Sequence, residues 1–247
     1  MAATRSPRCG ALPRSGRPCR NPAGSTADGS DFRGFVAFLL LAIACATAAI
    51  DNEIGIVWYG EEPTPHDDAD SVLLAVPHMR QEHDLCVTTS AAMVMAFYGD
   101  PHGPRELKVL SKGKVYDPEA PFTDFTATWW RDLISGIEPL GYSWREEVFP
   151  ANSRGFAQGL EQIEASLRSG RPVLIDVALY DSHTFVIMGF DKAGKRLFIR
   201  DPNVDRPGLR VLGFDQLKPI WHGRSYGLNA RPALFTKPAS LGGHSLR

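Results

Sequence analysis

Paired cysteines are scarce in this chain. Four cysteines occur in 247 residues, and three of them, Cys9, Cys19 and Cys45, fall within the first 45 positions. Cys86 stands alone over the rest, so no disulfide framework staples the main part of the chain and no CxxC pair offers a zinc or redox site. Long apolar runs are also missing. The run "FVAFLLLAIACATAAI" at 35–50 is shorter than the roughly 20 residues of a membrane span. A strongly basic surface is absent as well: residues 1–50 hold six Arg and two Asp, and the remainder holds 21 basic against 26 acidic residues. That balance excludes a nucleic-acid groove. There is no Gly-rich phosphate loop, no dinucleotide fingerprint and no GxSxG elbow.

What is present divides into a leader and a domain. Residues 1–34 are rich in Arg, Pro, Gly and Ser without apolar periodicity and are expected to be disordered. Residues 35–50, with Arg33 in front and the small-residue triplets "ACA" and "ATA" near the end, read as the apolar core of an export signal. The alternative is an uncleaved N-terminal anchor, the one contact with a membrane that the sequence suggests. Residues 51–70 carry seven acidic residues and no Lys or Arg, with Pro63 and Pro65 among them, and read as a solvated connector that includes a short strand in "IGIVWY". Residues 71–247 are then one globular domain, expected to be monomeric.

Within that domain, "SVLLAVP" reads as a strand ending at Pro77. Residues 86–98 read as a helix with Ala91, Val94, Met95 and Tyr98 along one apolar stripe and Gly99 as its stop. Asp84 is placed to be its N-cap. A second helix is expected over 123–140, with Trp129, Leu133 and Ile137 turned to the core, and a third over 154–170, stopped by Gly170. Three β-rich runs follow at 172–180, 183–190 and 196–200. Their connections are too short for parallel crossovers, so they predict an antiparallel meander. Folding the second hairpin near residue 192 or 193 brings the start of the middle strand opposite the end of the third, so His183 and Asp201 meet at one end of the sheet.

These placements carry chemistry. Cys86 lies in the first helical turn, where the macrodipole and unpaired backbone N–H groups favour a thiolate; a structural cysteine gains nothing from that position. His183 is of the type that takes the thiol proton, and Asp201 of the type that fixes the imidazole tautomer. Gln81, just ahead of the thiol in "QEHDLC", supplies a side-chain amide that, with the backbone N–H of Cys86, suits an oxyanion. Each residue has a bland reading when taken singly: a buried small hydrophobe, a strand histidine, a turn aspartate, a surface glutamine. The convergence of the four is what favours a catalytic site. A zinc site from His78, His83, Asp84 and Cys86 has the wrong spacing, and "DPNVDR" at 201–206 lacks the turn glycine and twelfth-position acid of a calcium loop. No metal or cofactor is expected.

The blocks "VPHMRQEHDLCVTTSAAMVMAFYG", "IEASLRSGRPVLIDV", "SHTFVIMGFD" and "LFIRDPN" resemble those of the bacteriocin-processing cysteine peptidases, cysteine peptidase family thirty-nine, within the papain-like group. The resemblance covers roughly residues 72–203. It implies an α+β papain-like fold with a nucleophile-bearing helix packed against an antiparallel β-sheet. It also implies Cys86 as nucleophile, His183 as general base, Asp201 as its orienting partner and Gln81 as oxyanion donor. Val87 stands where the family commonly has Gly. The membrane spans and ATPase of the full-length exporters have no counterpart here, so cleavage coupled to transport is not implied. The expectation is an exported thiol hydrolase acting on a peptide or protein. An acyltransferase results if an amine replaces water at the same site. A noncatalytic papain-like binding module is the rival from another class, kept open by Val87.

Overall fold

The structure, a computed structural model, describes residues 55–58, 61–82, 84–112, 127–179, 182–223 and 226–240. The basic leader 1–34 and the apolar segment 35–50 lie outside the described residues, as does the first part of the helix expected over 123–140. Among the described residues no helix is long and apolar enough to cross a membrane.

Nine strands form one antiparallel sheet among the described residues. They are β1 (Ile56–Trp58), β2 (His66–Asp67), β3 (Ser71–Leu73), β4 (Arg145–Pro150), β5 (Val173–Val177), β6 (His183–Asp191), β7 (Arg196–Arg200), β8 (Leu209–Gly213) and β9 (Ala230–Phe235). Their order is β1-β8-β7-β6-β5-β9-β4, with β3 continuing the edge of β6 beyond β5 and β2 paired to β3. The expected meander is therefore the centre of the sheet, β5–β6–β7, with registers Val177↔His183 and Val186↔Arg200. A bulge lies in β6 between Ile187 and Gly189. Ile187 and Phe190 on either side of it face the same apolar layer, while Met188 faces the other.

Helices cover both faces. On one lie α1 (Cys86–Phe97), α2 (Pro104–Lys112) and α3 (Trp130–Ile137), which share a core with Leu174, Val186, Met188, Leu209 and Leu234 of the sheet. On the other lie α4 (Ser153–Arg168) and α5 (Phe214–Ile220), packed on Ile175, Phe185, Ile187, Ile199 and Trp221. Asn152 caps α4 by accepting from the Gly155 N–H at 2.8 Å. Residues 61–70 of the acidic segment are mostly exposed, and the segment supplies β1 and β2. Glu62 from that segment accepts both guanidinium nitrogens of the buried Arg200, at 2.8 and 2.9 Å.

Three local expectations are corrected. The N-cap of α1 is Leu85, with no side-chain cap bond, because Asp84 takes a left-handed φ of 58° and turns the chain two residues before the helix begins. Burial of α1 is not confined to the apolar stripe: every residue from Val87 to Met95 is buried, the polar Thr88, Thr89 and Ser90 included. The helix expected over 123–140 runs only Trp130–Ile137 and tightens into a 3₁₀ turn at Glu138–Leu140, where Pro139 interrupts the α-ladder. Leu133 and Ile137 face the core, but Trp129 precedes α3 and is 45% exposed, and Trp130 takes the buried place.

Candidate active site

Cys86 is the first residue of α1 and is partly buried. The first backbone N–H groups of a helix have no intrahelical acceptors, so this position presents donors and the positive end of the helix dipole. The helix is fastened to the sheet next to the site: the Ser90 hydroxyl donates to the Thr184 carbonyl at 3.1 Å. Thr184 neighbours His183, which opens β6 and is 3% exposed. Its Nε2 meets Asp201 Oδ1 at 2.9 Å, and Cys86 lies near enough to raise the same imidazole. Nε2 is taken by the carboxylate, so Nδ1 is the ring nitrogen left for another partner.

Burial pulls the His183 imidazole down, but the hydrogen bonds and negative charge of Asp201 and Cys86 outweigh it and push it up to about 9. Burial raises Asp201, yet His183 and Arg210 hold it below the usual carboxylate range. Arg210 was not singled out by the sequence. It lies in β8, is 2% exposed, and its Nε donates to Asp201 Oδ2 at 3.0 Å. The Asn203 N–H completes the set by donating to Oδ1 at 2.8 Å.

The loop that carries Asp201 is closed from both sides. The Asp201 N–H donates to the Gly208 carbonyl at 3.0 Å. His78 Nε2 reaches the Asp201 carbonyl at 3.3 Å. Gly208 has φ +68°, and a Cβ there would fall 1.8 Å from the His78 ring, so only glycine fits. His78 is therefore part of the loop's support, its imidazole pulled down by burial and by Arg200. Among the described residues no cluster of three or more His, Cys, Asp or Glu is placed to hold a metal; His83 lies outside them.

Gln81 is held on the same loop, its N–H donating to the Pro202 carbonyl at 2.8 Å. Its Oε1 is buried without a hydrogen-bond partner. Val87 is 9% exposed and packs into the core beneath α1.

The family model described as "Peptidase_C39 like family" matches residues 73–226. Among solved structures, the peptidase domain of Streptococcus ComA, a bifunctional ABC transporter involved in quorum sensing, is 18% identical with a TM-score of 0.45, over 66% of this chain and 98% of that one. A double glycine motif protease from an AMS/PCAT transporter, in complex with the leader peptide, is 17% identical with a TM-score of 0.46, over 70% and 100%. A fragment of Prevotella intermedia prointerpain A is 16% identical with a TM-score of 0.41, over 85% of each chain. No curated protein sequence matches.

Two measurements test the site. A folded-state imidazole near 9 against 6.5 unfolded contributes stability that is whole below pH 6.5 and lost as pH rises through 9. Urea unfolding from pH 6 to 9 should therefore show the advantage of wild type over His183→Ala shrinking by up to about 3 kcal/mol; a constant difference contradicts it. Arg210→Met leaves the buried Asp201 with one cation fewer and should cost about 3–5 kcal/mol in the same assay.

Proposed function

Because the chain belongs to the Peptidase_C39 like family of cysteine peptidases, we propose that it hydrolyses a peptide or amide bond at Cys86. The observation that supports this reading is the buried His183–Asp201 bond, with Cys86 at the head of α1 near enough to raise the same imidazole. The Cys86 thiolate attacks the carbonyl carbon. The resulting oxyanion accepts from the Cys86 backbone N–H and the Gln81 amide. The protonated His183 gives its proton to the departing amine, leaving an acyl thioester. Water then attacks, losing a proton to His183, and the thiol is regenerated as the carboxylic acid leaves. Asp201 holds the imidazole tautomer throughout.

The rival reading as a noncatalytic binding module rested on Val87 crowding the substrate path. Its burial in the core beneath α1 favours an open approach to the sulfur and so supports the hydrolase.

Turnover of peptide substrates should fall by about 10³-fold or more in Cys86→Ala and in His183→Ala. Gln81→Ala should lower kcat by about 10²-fold with KM little changed. Undiminished turnover in either of the first two variants overturns the assignment. We further propose export, on the strength of the basic flank, apolar core and small-residue exit of residues 33–50. N-terminal sequencing of secreted protein should find a start between residues 45 and 51; a chain retained in the cytoplasm at full length contradicts it.

A further inference from the structure

A cavity of about 340 Å³ is lined by Trp129, Trp130, Arg131, Glu146 and Tyr226, and no step above uses its walls. It connects to the site through Tyr226 and Asp176. The Tyr226 N–H donates to the Gly223 carbonyl at 3.0 Å. Gly223 passes so close to Asp176 that a Cβ there would lie 1.9 Å from its Oδ2. Asp176 in turn accepts from the Ser182 hydroxyl at 2.9 Å, one residue before His183. Burial pushes the Asp176 carboxyl up to about 6, against the Ser182 bond and the His183 charge.

The walls are aromatic and the inner charges negative. Trp130 and Tyr226 pack with ring centroids 6.0 Å apart, and Trp129 stands 45% exposed beside them. Burial and the neighbouring Glu146 push the Tyr226 hydroxyl up, and Asp176 lies behind. Arg131 is the one positive lining residue among the described residues. Its side chain is 83% exposed and 3.5 Å from Asp132, so its charge sits in water at the mouth, where screening is strongest.

We propose that this cavity is a substrate subsite for a cationic side chain, lysine or arginine, within a few residues of the bond attacked by Cys86. The inference rests on the peptidase reading above. A volume near the low end of ligand pockets suits a single long side chain. Its methylene stem lies along the indoles, its cation over the ring faces, and its N–H groups reach the Glu146 carboxylate.

The test is digestion of a proteome-derived peptide library by the full chain, with cleavage sites read by mass spectrometry. Wild type should show Lys and Arg enriched about tenfold at one position within three residues of the cut. Glu146→Gln should erase that enrichment, and Glu146→Lys should turn it toward Asp and Glu, a gain of preference that misfolding cannot mimic. Enrichment of Phe or Leu at that position instead, or a Lys/Arg preference unmoved by both variants, overturns the subsite while leaving the peptidase intact. Absence of any cut dependent on Cys86 overturns the peptidase reading itself, and the subsite with it.

Discussion

A single buried carboxylate organises this end of the molecule. Asp201 is 1% exposed, and an ionised carboxylate in such a place is tolerated only when its lone pairs are matched by donors and its charge by cations. His183, Asn203 and Arg210 supply them. The two charged partners come from β6 and β8, the strands on either side of β7, whose end delivers Asp201. Sheet order and side-chain chemistry are therefore one condition. β7 and β8 meet their ends at Arg200↔Leu209 while β6 runs on past them to His183, so the anion that follows β7 is met from both neighbouring strands and the imidazole is fixed by its Nε2.

Much of this was legible in the residues, because it depends on local signals. Short connections "DS" and "DKAGK" force an antiparallel meander, and the meander alone brings His183 near Asp201. Arg210 was not legible. An arginine between Leu209 and Val211 reads as the polar, solvent-facing position of a strand, and only the paired sheet reveals that its solvent is a carboxylate. The cap of α1 failed for a related reason: aspartate ahead of a helix is the expected N-cap, but Asp84 takes a positive φ that residue type does not encode. Trp129 and Trp130 are adjacent and equally apolar, and which of them is buried depends on where α3 begins, a boundary that composition does not encode.

The helix that bears the thiol is buried on every side from Val87 to Met95. Its position is consequently set by packing against α2, α3 and the sheet, reinforced by the Ser90 bond to β6. A nucleophile on such an element has little freedom to drift, which is the condition under which a thiol and an imidazole from distant parts of a chain remain in register.

The irregularity in β6 has a consequence of its own. Residues alternate sides along a strand, so an extra residue between Ile187 and Gly189 reverses the phase of everything beyond it. The apolar half of the strand toward Asp191 and the half that ends in His183 are thereby tuned independently, and Ile187 and Phe190 share a layer despite their odd spacing. Strand length here works as a vernier: removing one residue would keep the hairpin's grease in place on one half and swing the imidazole to the opposite side of the pleat.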